Sequence, residues 1–567
     1  MMRKLLLIFA LCLTLSISST FACTNFLLTK GATTNGSCII SYAADSHVLF
    51  GAMYHWNAGT WPEGTMMDVY EWDTGKYMGK IPQAHQTYNV TGNMNEFQVA
   101  IGETTYGGRK ELSKQSGAII DYGSLMYIAL QRSSTAREAI VTMTNLVSKY
   151  GYASSGESFS ISDPNEVWIM EMIGKGEGQK GAVWVARMVP DGYVCAHANQ
   201  ARITTFPLNS RTSISSENID KLTSDKNITT VYSNDVISFA KEKGYFPTKA
   251  KNSDFSFSDS YAPVDFGGAR FCELRVWAFF NSINSNMKQY WDYATGRNIE
   301  HNSLGYASNR MPLWIKPDKK VSLHEVMDGM RNHLEGTELD MSKDPGAGPF
   351  ARPYRWRPME YEYNGKKYVH ERTIATQQTG FSFVAQSRNW LPRQIGGILW
   401  FGVDDAASTV YFPMYSSSTR VPYSFSEDCG NMMKFTNEAA FWVFNQVTNF
   451  AYQRYNVIHP DIRAKQLELE NNYINQIKMV DAGALKQIDS NPDATVEFLT
   501  NYSCNTGNEL TAKWRDFYGY LFTKYMDGNI KVPVKGQMNP KKTNTELPSW
   551  FLKQIVDFMG DKQLEIK

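Results

Sequence analysis

Cysteine is scarce in this chain, and its placement excludes the usual structural uses of sulfur. Seven cysteines are spread over 567 residues with no C-x-x-C pair, so neither a zinc site nor a disulfide framework is indicated. There is no H-E-x-x-H motif, and the nine histidines are scattered. His370-Glu371 has no second ligand at helical spacing, so no metal is called for. A P-loop, a dinucleotide fingerprint and a G-x-S-x-G elbow are missing too, and no cofactor is implied. Charge of either sign is not in excess: 57 basic residues face 56 acidic ones. That balance argues against nucleic acid or an anionic membrane as the main partner. Beyond residue 15 no apolar run approaches the ~20 residues of a membrane span. Internal repeats and low-complexity tracts are absent.

What is present begins at the amino end. Arg3 and Lys4 precede an apolar run from Leu5 to Leu15 and a polar stretch from Ser16 to Thr20. This is the layout of a secretory signal peptide. Small Ala22 and modest Thr20 favour cleavage after Ala22, giving a leader of residues 1–22 and an exported protein, periplasmic or secreted. The mature chain would start at Cys23, with 55 basic residues against 56 acidic. A cysteine at a new amino terminus carries a thiol, titrating near about 8.5, and an amine near about 7.7 to 8. The amine can serve as general base for its own side chain. A lipidated Cys23 would lose that base; Thr20 and Phe21 stand where lipoprotein processing prefers Leu and a small residue.

Residues 24–45 read as a hairpin, Asn25–Thr29 and Ser37–Tyr42, with Gly31 and Asn35-Gly36 supplying the turn. A turn centred on Thr33 and Thr34 places Cys23 opposite Ala44 and sets Asp45 beside the mature terminus, where its carboxylate could hold the amine. Further strands are expected at Gln98–Ile101, running into a polar end at Glu103-Thr104-Thr105, and at Ser158–Ile161, Val167–Met172, Ala182–Arg187 and Gly192–Ala196. Helices are expected at Tyr122–Arg132, Thr135–Tyr150, Val231–Lys243 and Leu323–Leu334. Strand signal returns at Tyr368–Ala375, Phe381–Ala385, Gly397–Val403 and Ser408–Met414. Beyond about residue 432 the period becomes helical. The pattern suggests layered sheets with helices outside, as a body spanning 23–430 and a mainly helical region, 431–567.

Several segments carry a resemblance. Cys23-Thr24-Asn25, Asn35-Gly36-Ser37, Ala44-Asp45-Ser46, Asn93–Glu96, Gly102–Thr105, Ala186–Gly192, Ala198–Ile203 and Leu399–Val403 resemble the PepD-like cysteine dipeptidases, a branch of the N-terminal-nucleophile hydrolases. The resemblance implies an α+β fold, a four-layer αββα sandwich, and hydrolysis of unblocked dipeptides through a Cys23 thioester. It implies roles for Asp45 after the hairpin, for Asn199 as oxyanion donor and for Arg270 within Ala269-Arg270-Phe271. Tyr42 stands where several relatives carry Arg. Glu103 is expected to bind the substrate ammonium, and Thr104 or Thr105 to lend a second oxyanion donor. Partners are then small peptides; the oligomeric state stays open, a homo-oligomer included. Two rival readings are an amidase of acyl amides, of bile-salt or N-acyl amino acid type, and a lipidated surface protein binding glycans through its aromatics.

Overall fold

The computed structural model describes residues 23–356 and 359–566; the expected leader, residues 1–22, lies outside them. The described residues form a mixed α/β protein with several sheets, 37% of them in helix and 22% in strand. Its main strands are β1 (Asn25–Leu28), β2 (Cys38–Asp45), β3 (Ala100–Gly107), β4 (Gly156–Ser162), β5 (Val167–Gly174), β6 (Ala182–Met188), β7 (Val194–His197), β8 (Trp314–Ile315), β9 (Thr379–Ser387), β10 (Gly397–Val403) and β11 (Phe412–Tyr415). A seven-stranded sheet runs β8-β7-β1-β2-β9-β10-β11, and β3 to β6 are consecutive antiparallel neighbours in a nine-stranded sheet.

The two sheets meet through β1 and β2 against β3, β4 and β5. Alternation within β5 explains how a strand with no polar face is satisfied. Trp168, Met170 and Met172 point into one apolar cluster, whereas Val167, Ile169 and Ile173 point into the other, as a period of two requires. The first cluster is completed by α1 (Tyr122–Arg132) and α2 (Ala136–Tyr150). Thr135 caps α2 by accepting from the Glu138 N–H, and Gly151 ends it at φ 79°, a conformation that glycine adopts without strain. The seven-stranded sheet is covered by three helices in the last third of the chain, Ala440–Ala451, Tyr455–Leu485 and Pro492–Tyr525.

Close approach of the sheets depends on one glycine. A Cβ at Gly102 would meet the Asn25 side chain at 2.8 Å and Tyr42 Cβ at 3.2 Å. The contact is also polar: His197 bonds Thr104 Oγ1 and Ser160 Oγ at 2.7 Å each through its two ring nitrogens. Burial pushes the His197 pKa down to about 3, so this bridge is a neutral one.

Several expected boundaries shift. β3 extends through Glu103, Thr104 and Thr105 to Gly107, so those residues lie inside a strand and not at its end. The expected strand over 368–375 stops at Val369; Arg372 is instead tied to Asp45. The helical period expected beyond residue 432 includes one unbroken helix of 34 residues, Pro492–Tyr525. The expected helix over 231–243 divides into a short strand, Thr230–Tyr232, and a helix, Val236–Glu242.

Candidate active site

Cys23 is placed by the first hairpin. Leu27 pairs with Ile40, Leu28 with Ile39 and Thr24 with Ala43, and the same register sets Cys23 opposite Ala44. The residue is 3% exposed, and its surroundings come from four separate parts of the chain. Its backbone nitrogen donates to Asn199 Oδ1 at 2.9 Å. Its carbonyl accepts from Arg275 Nη1 at 2.5 Å. Its Sγ lies 3.6 Å from Glu103 Oε1 and 3.8 Å from the Tyr42 hydroxyl. Tyr42 donates to Glu103 Oε1 at 2.6 Å, so hydroxyl, carboxylate and thiol form one cluster.

Asn199 follows β7 with φ 63°, a left-handed conformation that asparagine tolerates better than most residues. Its Nδ2 donates to the Thr105 carbonyl at 2.6 Å, and its Oδ1 accepts from both Cys23 and Arg275. Asn199 therefore presents its oxygen, not its amide nitrogen, to Cys23. The loop carrying it is locked to the segment carrying Arg275 by the buried ion pair of Arg202 and Glu273, 2.8 Å apart.

Arg270 does not reach Cys23. It pairs with Glu371 at 2.7 Å and donates to the Thr295 carbonyl. The reason is a π-helical segment, Gly268–Glu273, that precedes the helix Leu274–Ile283. It changes the angular phase of the side chains, and Arg275 is the one aimed at the hairpin. All five N–H donors of a guanidinium find partners: Arg275 bonds the carbonyls of Phe271, Cys23 and Ala198, Thr24 Oγ1 and Asn199 Oδ1.

Asp45 lies at an irregularity where β2 pairs Ala44 with Phe381 but Asp45 with Thr379. Its carboxylate is engaged by Arg372 at 2.5 Å and by Thr379 Oγ1 at 2.6 Å, in place of the expected amine. Thr104 is likewise spent on His197 between the sheets. Thr105 offers its carbonyl to Asn199 and its side chain to Glu157.

The electrostatics follow from burial. The Cys23 thiol is pushed up by desolvation and by the negative charges of Glu103 and Asp45; the Asp45 N–H and the Tyr42 hydroxyl pull it back only partly. A thiol so placed rests protonated and needs a base. Glu157 sits opposite Thr105, diagonal to Glu103 on the same face of the sheet, and hydrogen-bonds it. Two touching buried carboxyls cannot both ionise. Burial raises both carboxyls above the usual carboxylate range, and the neighbouring Glu103 pushes Glu157 up further, so the pair holds a shared proton that favours Glu157.

Sulfur and carboxylate face a narrow pocket of about 100 Å³, lined by Tyr42, Tyr54, Trp72, Tyr122, Tyr127 and Phe381 together with Asp45, Asp73 and Glu103. Among the described residues no group of His, Cys, Asp and Glu is arranged to hold a metal ion, and no helix is long and apolar enough to cross a membrane. All six described cysteines are unpaired. Sequence reasoning missed Arg275, Arg372 and Glu157. The signal for Arg275 was a single charge within the apolar helical run Leu274–Ile283, since a buried arginine must find partners.

Comparison with known proteins gives this arrangement a class: it belongs to a peptidase. The model of Peptidase family C69 matches residues 50–468, well over half of the sequence, and the chain belongs to that family. The matched span starts downstream of Cys23. A Latilactobacillus sakei protein named "Probable dipeptidase" is 22% identical over 524 residues, covering 89% of this chain and 95% of its own. A Salmonella dublin protein of the same name is 22% identical over 428 residues, 71% and 82% of the two chains. A Bifidobacterium longum protein named "Dipeptidase" is 22% identical over 316 residues, 56% and 50% of the two chains.

Proposed function

We propose that the chain is an exported dipeptidase whose nucleophile is Cys23, laid bare by removal of residues 1–22. The observation carrying this reading is that Cys23 alone presents a nitrogen to Asn199 and a sulfur to the Glu103 pocket. The packing of two sheets between helices supports the four-layer αββα arrangement of N-terminal-nucleophile hydrolases. The dipeptidase names of relatives similar over most of their length support the substrate class.

In this mechanism the α-amine of Cys23, held by Asn199, takes the thiol proton, directly or through water. The thiolate attacks the peptide carbonyl and forms a tetrahedral oxyanion. The Asp45 N–H, whose influence lowers the thiol pKa, is the backbone donor assigned to that oxyanion. Such a donor is worth about 10²–10³ in turnover. The ammonium returns its proton to the leaving amine as the C–N bond breaks, and water then cleaves the thioester. Glu103, sharing a proton with Glu157 and without a cationic partner in any ion pair among the described residues, receives the substrate's own ammonium, which draws the negative charge onto it. The pocket's aromatic walls add cation–π attraction. An acyl chain would leave that buried charge unmatched, which favours unblocked peptides over acyl amides.

Intact mass and amino-terminal sequencing of the exported protein test the starting point; a chain that starts elsewhere, or an acylated Cys23, refutes it. In the processed enzyme, Cys23→Ala should abolish hydrolysis of alanine-containing dipeptides without lowering the melting temperature. An acyl-glycine conjugate turned over faster than dipeptides would transfer the reading to the amidases.

A further inference from the structure

Cys23 stands between two hollows of very different size. Its sulfur borders the narrow pocket of about 100 Å³. Asn199, on its nitrogen side, helps to wall a cleft of about 810 Å³ that also takes in Thr105, Arg109, Lys110, Arg275 and Arg372. Ligand pockets commonly measure roughly 300–1,000 Å³. The pocket falls below that range and suits one residue, whereas the cleft lies near its top.

The direction of the substrate follows from the mechanism above, on which this inference rests. The leaving amine must lie where the Cys23 nitrogen can protonate it, and that nitrogen faces Asn199. The amino-terminal residue of the substrate then occupies the narrow pocket, and everything beyond the scissile bond enters the cleft.

A strict dipeptidase has to grip a carboxylate one residue past that bond. Arg275 is unsuited to the task, because its five donors are all used within the protein. Arg372 is bound to Asp45 and to the Thr373 carbonyl. The remaining basic residues of the cleft, Arg109 and Lys110, lie past the end of β3 at Gly107. Counted from Thr105, which touches Asn199, four fully extended residues at ~3.3 Å each would reach ~13 Å, and the left-handed Gly107 and Gly108 (φ 72° and 74°) turn the chain so that Arg109 lies inside that limit. Arg109 donates through Nε to the Ser260 carbonyl with its guanidinium 4.4 Å over the Tyr245 ring, and Lys110 is exposed. An extended peptide advances by about the same 3.3 Å per residue, so this spacing fits a carboxylate two or three residues beyond the cut.

We infer that the enzyme reads the amino end of its substrate and admits tri- and tetrapeptides, whose carboxylates meet Arg109 and Lys110. It then removes one residue at a time: water adds across the first peptide bond, freeing an amino acid and a shortened peptide.

The test is a ladder of dialanine, trialanine and tetraalanine with their N-acetylated forms, assayed on the processed enzyme by mass spectrometry. The tri- and tetrapeptide should be cut with kcat/KM within about tenfold of the dipeptide, alanine should leave first, and acetylation should stop all three. Lys110→Glu should raise KM for tetraalanine several-fold more than for dialanine. Normal cleavage of dialanine with trialanine about a hundredfold poorer would overturn the inference and leave the dipeptidase reading intact. Release of dialanine units from tetraalanine would also overturn it, because the narrow pocket would then hold more than one residue. Failure to cut dialanine itself, by protein shown to begin at Cys23, would sink both.

Discussion

Arg275 donates to the carbonyl oxygen of Cys23 at 2.5 Å, across 252 positions of sequence. The same guanidinium holds Asn199, and Asn199 holds the Cys23 nitrogen. Both ends of one residue are thus clamped by a single side chain. Lysine keeps the charge but offers three donors from one point in place of a five-donor fork. Arg275→Lys should therefore fold and bind peptide with little change in KM, while kcat falls by about 10²-fold. A displacement of an ångström at a reacting atom can cost that much. Steady-state kinetics beside a thermal melt will separate the two effects.

Arg270 gives the contrast. It contacts Glu371 and the Thr295 carbonyl, so Arg270→Ala should leave kcat within about threefold of wild type. Its cost should appear as a lower melting temperature, since Glu371 loses its partner in a largely buried pair.

Glu103 exerts two opposed effects on the thiol. Its charge raises the Cys23 pKa, yet the proposed reading makes it the ammonium receptor. Glu103→Gln should therefore speed alkylation of Cys23 by iodoacetamide at neutral pH, because a neighbouring negative charge has gone. The same change should cut kcat/KM for unblocked dipeptides by at least about tenfold. If alkylation and peptide hydrolysis rise together, the receptor role is wrong.

Glu157 predicts how stability responds to pH. In the folded protein its proton is retained well above the ordinary glutamate value of 4.5, whereas the unfolded chain releases it near that value. Above pH 4.5 the folded state therefore binds more protons than the unfolded one, and stability declines as pH rises. The contribution is complete below the unfolded value and lost as pH climbs through the folded one. Glu157→Gln keeps a donor for Glu103 and should flatten this slope in urea melts taken from about pH 5 to 8.

The legible parts of the fold were those with local causes. Thr135 and Gly151 mark the ends of their helix by cap chemistry, and the Asn35-Gly36 turn sets a register that puts Cys23 opposite Ala44. The site was legible where it rests on that hairpin, on the Gly102–Thr105 stretch that brings Glu103 to Cys23, and on the short Ala198–Ile203 segment. Arg275 showed in the sequence only as a lone charge in an apolar run, because nothing in the residue pattern announces the π-helical turn that aims it at the hairpin. Arg372 was missed because an apolar stretch near it, Ile374-Ala375, imitates a strand. The orientation of Asn199 depends on a left-handed backbone and on Arg275, which meet only in three dimensions. Glu157 needed the pairing of β3 with β4 before it could be set beside Glu103.

The strand leading away from Cys23 has neighbours on both edges, β7 and β2. Loose chain ends ordinarily fray, but a segment woven into the interior of a sheet opens only when the sheet does. The sulfur proposed as the attacking atom is therefore held in place when the protein folds, before any peptide arrives. Amide hydrogens of Phe26 and Leu27 should accordingly be among the slowest in the molecule to exchange with deuterium, in free and occupied enzyme alike.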